Sequence, residues 1–127
     1  EGCTYLYDFD VLAGTLSNKR LWHRFACADG VPDGMTTDAA GRLWIAHWGG
    51  ACVSCHDPAT AQELCRVQLP VSQVTNCTFG GPDLRTLFIT TARTGLTGGQ
   101  LEVEPLAGGL FAVQVDSPGL PAQLFGG

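Results

Sequence analysis

The feature that most constrains this chain is an internal repeat. The run Leu43-Trp44-Ile45-Ala46-His47 is answered 44 positions later, 87 against 43, by Leu87-Phe88-Ile89-Thr90-Thr91. The stretch from Ala51 to Cys55 is answered in turn by Gly109-Leu110-Phe111-Ala112-Val113. A repeat of roughly 40 to 50 residues holding up to four strands is the mark of a β-propeller blade. Short apolar runs broken by turn pairs support this, since almost nothing has helical spacing. Ala13-Gly14, Ala40-Gly41, Gly49-Gly50, Pro58-Ala59-Thr60 and Gly80-Gly81-Pro82-Asp83 are the turns.

The strands between them follow directly. Tyr5 to Asp10 alternates on a period of two and turns at Ala13-Gly14 towards Arg20 to Phe25. Gly30 to Gly34 reads as a loop around Pro32, and Met35 to Asp38 as a short strand. Leu43 to Trp48, Ala51 to Asp57 and Glu63 to Leu69 complete that repeat. Thr75 to Phe79, Leu87 to Thr91 and Leu110 to Val113 form the next. The insertion between Thr94 and Pro105 is rich in Gly, Thr and Glu, and reads as a surface loop. The expected fold is all-β: roughly ten strands in two and a half to three blades, about half of a six-bladed propeller. Residues 1–127 then form one partial propeller domain. A propeller needs about four to eight blades to close, so another chain or a second copy of this one is expected to supply the rest.

Composition removes whole classes of function. Hydrophobic residues make up 45% and charged residues 15%, too apolar for a disordered chain. The net charge is -5, with no basic cluster to neutralise phosphates, which argues against nucleic acid. No apolar run reaches the roughly 18 residues of a membrane span. Neither a secretory signal nor an initiator Met is visible before Glu1-Gly2-Cys3. The six cysteines are too sparse for a small disulfide scaffold, so reduced thiols and a cytoplasmic home are expected.

Three stretches carry a resemblance to a known family. The first is Leu16-Ser17-Asn18-Lys19-Arg20 after an Asp-Phe-Asp strand. The second runs from Val31-Pro32-Asp33-Gly34-Met35 through Gly41-Arg42-Leu43-Trp44 to Trp48-Gly49-Gly50. The third runs from Leu69-Pro70-Val71 through Cys77-Thr78-Phe79-Gly80-Gly81-Pro82-Asp83 and Thr90-Thr91-Ala92-Arg93 to Gly108-Gly109-Leu110-Phe111. Together they resemble the C-terminal half of the senescence marker protein/gluconolactonase/regucalcin family. That resemblance implies hydrolysis of a sugar lactone assisted by one divalent cation in the central channel, Ca²⁺ above Zn²⁺, Mg²⁺ or Mn²⁺. It also implies three protein ligands: a Glu of the first blade, an Asn of mid-chain and the Asp of Pro-Asp-Gly-Met. Only the last maps here, onto Asp33.

The chemistry expected of Asp33 is that of a metal ligand and catalytic carboxylate. Hard cations choose carboxylate and amide oxygens. A carboxylate beside the metal can also take a proton from water as general base. The bland alternative is an Asp that caps its own turn before Gly34. Blade geometry adds rim candidates. Inner strands start, and their partners end, on the same face of the ring. His47 and Trp48 end one partner strand, Asn76 starts an inner strand, and Arg93 follows the next partner. Each has an ordinary reading beside the functional one: a satisfied histidine, blade packing by Trp48, an Arg paired with a surface Asp.

Cys52-x-x-Cys55-His56, with Cys65 beyond, looks like a zinc cluster. Residues three apart on a strand point to opposite faces, however, so Cys52 and Cys55 cannot grip one ion without a turn between them. A small zinc protein is therefore the last of three readings, and two functions stand ahead of it. One is the C-terminal half of a metal-dependent lactonase, incomplete alone and acting on a small-molecule lactone. The other is a non-catalytic half-propeller that oligomerises, as a homodimer or with a complementary half, or serves as a binding module.

Overall fold

A computed structural model describes residues 2–124 and 126. Nine strands fall into three antiparallel sheets among the described residues. The first is a hairpin of β1 (Cys3–Asp10) and β2 (Thr15–Arg24). The second is a complete four-stranded blade, β3 (Val31–Thr37), β4 (Leu43–Trp48), β5 (Cys52–His56) and β6 (Glu63–Gln68), paired in chain order. The third holds β7 (Val74–Gly80), β8 (Thr86–Thr91) and β9 (Leu110–Gln114). The repeat in the sequence is therefore a repeat of blades: two strands of one, all of the next, three of the last.

Two expectations are corrected. Gly30 to Gly34 is not a loop, because β3 begins at Val31. Pro32 pairs with His47 and Met35 with Ile45, so Asp33 and Gly34 together oppose Ala46 in a β-bulge. Pro32 is tolerated because β3 is an edge strand. The insertion after Thr94 is not all loop either. It contains a short helix, α1 (Gly98–Val103). Thr97 Oγ1 accepts from Gln100 N at 3.4 Å while Gln100 Oε1 accepts from Thr97 N at 2.9 Å, a reciprocal capping box. Glu104 then pins the insertion down, accepting from Ser72 N at 2.7 Å and Ser72 Oγ at 2.9 Å.

The middle blade has two faces of different chemistry. Trp44, Ala46, Val53 and Cys55 fall on one face by strand alternation and register. They pack with Val74, Cys77, Leu87 and Ile89 into the apolar core between the second and third sheets. Ile45, His47, Ser54 and His56 fall on the other face. There Phe25 and Trp22 of the hairpin side meet the histidines edge-on: Phe25 lies 4.9 Å from His47 and 5.6 Å from His56, and Trp22 lies 5.9 Å from His56. One joint between sheets is aliphatic and the other is aromatic and polar.

Candidate functional site

Strand order sets β3 and β7 on corresponding edges of their sheets, and the two approach each other. A β-carbon on Gly34 would collide with the Asn76 side chain. Glycine at the bulge is what lets β7 come so close. Asp33, one residue earlier, is exposed, and so is Asn76. Asn76 Oδ1 accepts from Cys77 N at 2.8 Å, which fixes the amide and leaves its NH₂ free to donate. The sequence thus places a carboxylate and an amide side by side where two blades meet.

Trp48 belongs to the same junction. It pairs with Val31 at the start of β3 and forms a bridge to Gln73 just before β7. Arg93 is exposed, with its aliphatic stem lying on Gly108, and among the described residues it forms no ion pair. His47 lies elsewhere. Its backbone ends β4 opposite Pro32, but its ring is fully buried in the aromatic joint and cannot reach a ligand at the rim. The reason is parity: a strand residue faces one side only, and His47 faces the hairpin side.

The His47 ring is part of a hydrogen-bonded chain that the sequence did not announce. His56 Nδ1 is 3.0 Å from the Ala61 carbonyl and must donate to it. His56 Nε2 lies 2.8 Å from Ser54 Oγ. The same hydroxyl lies 2.6 Å from His47 Nε2. Among the described residues, His47 Nδ1 is buried and makes no hydrogen bond within the distance and angle limits of one. Burial first, and the Arg66 guanidinium second, hold His47 below the ordinary histidine value, against the pull of Asp29 towards the charged form.

Asp38 is a second residue that sequence reading missed. Its buried carboxylate accepts from Ala40 N, Arg42 N, Arg42 Nε and Trp44 Nε1 at 3.0, 3.0, 2.8 and 3.0 Å. Burial alone would raise its pKa. The Trp44 indole, the Arg42 backbone N–H and the Arg42 guanidinium outweigh burial and hold the carboxyl below the usual range. The spacing Asp38…Gly41…Trp44 was the available signal: an acid before a turn, then an indole six residues on.

Among the described residues no three His, Cys, Asp or Glu side chains gather as a metal cluster. Asp33 is exposed and makes no hydrogen bond or ion pair among those residues, so its oxygens suit a hard cation. The fit extends to one carboxylate with an amide neighbour. Cys52 and Cys55 lie on opposite faces of β5, as strand parity requires. No helix is long and apolar enough to cross a membrane among the described residues.

Sheets laid in sequence order, with their first strands gathered at one edge, define the chain as part of a β-propeller. Comparison with known proteins makes this specific. Residues 1–93 match the SMP-30/Gluconolactonase/LRE-like region, and the chain belongs to that family. It is 42% identical over 121 residues to a putative sugar lactone lactonase, YvrE, of Bacillus subtilis. It is 37% identical over 122 residues to regucalcin of Oryctolagus cuniculus. Each match covers 95% of this chain but 41% of the relative, so the chain spans about two fifths of their length. Among solved structures it resembles a luciferin-regenerating enzyme, at TM-score 0.83 and 29% identity. It also resembles a calcium-binding regucalcin of Agrobacterium tumefaciens, at TM-score 0.84 and 26% identity. Both cover 94% of this chain, and it spans 40% of each.

Proposed function

We propose that this chain is the C-terminal portion of a divalent-metal-dependent sugar lactonase, incomplete until other blades close its channel. The observation that carries this reading is the exposed Asp33 carboxylate at a bulge, with Asn76 against the adjoining glycine. The lactonase and regucalcin relatives support it. A bound cation, Ca²⁺ first among candidates, would polarise the lactone carbonyl and acidify a water. Asp33 would supply one hard oxygen ligand and accept a proton. Asn76 would donate from its free NH₂ to a substrate hydroxyl or carbonyl. Trp48 and Arg93 remain rim candidates, Arg93 for a sugar-acid carboxylate. His47, buried, would act on the rim only through the backbone of β4. The cytoplasm is part of the same reading, resting on the cysteine pattern alone.

The missing blades would come from a complementary half or a second copy. An open apolar cleft of about 440 Å³ beside β1, lined by Tyr5, Tyr7, Trp22, Pro32, Met35 and Leu43, is a surface on which such strands could pack. A non-catalytic module with the same scaffold is the second reading, favoured by the single family ligand. Calorimetric Ca²⁺ titration and lactone turnover test both. The isolated chain should bind Ca²⁺ weakly and turn over lactone poorly, and Asp33→Ala should abolish the binding. An Ala variant that bound Ca²⁺ as well as the parent would remove Asp33 from the site. Binding and turnover both absent in a completed ring would favour the module.

A further inference from the structure

Cys55 and Cys65 are directly opposed on β5 and β6, the one buried and the other exposed. Opposed residues of an antiparallel pair have Cα atoms about 4.5 to 5.5 Å apart and project to the same face. A disulfide needs about 4.4 to 6.8 Å between Cα atoms and about 3.5 to 4.5 Å between Cβ atoms. The pair meets the first requirement as it stands and needs a small closure for the second. A register shift between Cys55 and His56 lies immediately beside the pair and gives the backbone slack for that closure. We propose that Cys55 and Cys65 form an oxidisable dithiol site that closes to a disulfide by exchange with a small anionic disulfide such as glutathione disulfide.

The roles of the two sulfurs follow from their surroundings. Cys65 opens on a cleft of about 370 Å³. Arg42, Gln114 and Ser117 line it and offer donors to the carboxylates of the incoming tripeptide, while Asp116 opposes them. Cys55 is pushed up to about 12, by burial first and by the neighbouring Cys65 next, so its thiol holds its proton until a partner sulfur arrives. Cys65, as thiolate, attacks one sulfur of the glutathione disulfide. That S–S bond breaks, and one glutathione leaves as thiolate, taking up the proton Cys65 gave to solvent. The Cys55 sulfur then attacks the mixed disulfide at Cys65, losing its proton as the second glutathione departs with it. Two protein thiols are oxidised and one glutathione disulfide is reduced to two thiols.

No other pair has this arrangement among the described residues. Cys52 faces the hairpin side, and the Cys77 thiol is buried against the Trp44 carbonyl at 3.7 Å. The bond would fasten β6, the free outer edge of the middle blade, to β5.

The test is equilibration of the native 127-residue chain in glutathione buffers of graded ratio, followed by thiol blocking under denaturing conditions. Cleavage after Glu63 separates the two cysteines, and tandem mass spectrometry that breaks the backbone between Cys52 and Cys55 and between Cys65 and Cys77 identifies the link. The expected result is a Cys55–Cys65 disulfide in preference to every other pairing, present natively and scrambled when the same exchange is run in denaturant. Cys55→Ser should instead trap glutathione on Cys65. Should that core variant fail to fold, the native mapping of the parent chain decides alone. Persistent glutathione on Cys65 with Cys55 reduced in the parent, or a dominant link to Cys52, would overturn the proposal.

Discussion

At the scale of single residues, Asp38 has the most to say about stability. Its oxygens satisfy two backbone N–H groups, a guanidinium and an indole at once. Asp38→Ala would leave the buried Trp44 indole without a partner and the partly exposed Ala40 and Arg42 donors to water, and should cost on the order of 1–3 kcal/mol in denaturant unfolding. Asp38→Asn keeps the shape, loses the charge and should cost less. Because the folded state holds this carboxyl below its ordinary value of 3.8, the stability it contributes is complete above that value. It is lost as pH falls through the lower, folded value. An acid titration followed by tryptophan fluorescence should show that step in the parent and its absence in Asp38→Asn. Asp33 offers a contrast: an exposed carboxylate with no partner among the described residues, whose removal should leave the stability within about 0.5 kcal/mol of the parent.

At the scale of elements, the β3 bulge and the aromatic joint make separate predictions. Gly34→Ala would drive a methyl group into Asn76 and should destabilise by about 1–3 kcal/mol. Adding Asn76→Ala should recover part of that loss, because the obstructing amide is gone, and a double-mutant cycle measures the coupling. The joint responds to acid in a higher window. His47 is held neutral below its ordinary value of 6.5, so its contribution is complete above 6.5 and declines as pH falls beneath it. His47→Gln should flatten stability against pH there while leaving the lower step from Asp38 in place.

These elements also show where sequence reading reached and where it stopped. Leu43 to His47 and Leu87 to Thr91 were readable because a strand repeated at a fixed period leaves a local imprint. Opposite facing of Cys52 and Cys55 was readable for the same reason. The Pro32 region was not, because Pro and Gly punctuate loops and edge bulges alike, and pairing with His47 decides between them. The Thr97-Gly98-Gly99-Gln100 cap was overlooked since two glycines outweigh a capping box on propensity. Of the candidate site, Asp33, Trp48 and Asn76 could be placed at one end of their strands. The burial of His47 could not, because it depends on the side chains of a distant hairpin.

At the scale of the whole molecule, the unfinished sheets dominate. Tyr5, Leu6, Tyr7, Phe9, Leu16 and Leu21 of the hairpin are each between 41% and 64% exposed, more apolar surface than a monomer of this size normally shows. Free edges on β1, β6 and β9 add unpaired backbone. Light scattering at micromolar concentration should give a mass above the 13.4 kDa of one chain, rising with concentration. A constant single-chain mass would eliminate self-association.

The unlike chemistry of the two joints has a kinetic consequence. The aliphatic joint buries side chains that gain nothing from water. The aromatic one is held by edge-on rings and an indole bond from Trp22 to the Pro58 carbonyl at 2.7 Å, and it covers a hydroxyl shared between two imidazoles of the middle blade. Opening it exposes groups that water can satisfy. The hairpin should therefore detach as its own cooperative unit while the two larger sheets stay together. In hydrogen–deuterium exchange, the amides of β1 and β2 should exchange as a block, well ahead of those in β4, β5 and β8. Once the slower intrinsic exchange in acid is divided out, lowering the pH below the ordinary imidazole value of 6.5 should reduce the protection of the first block and leave that of the second unmoved.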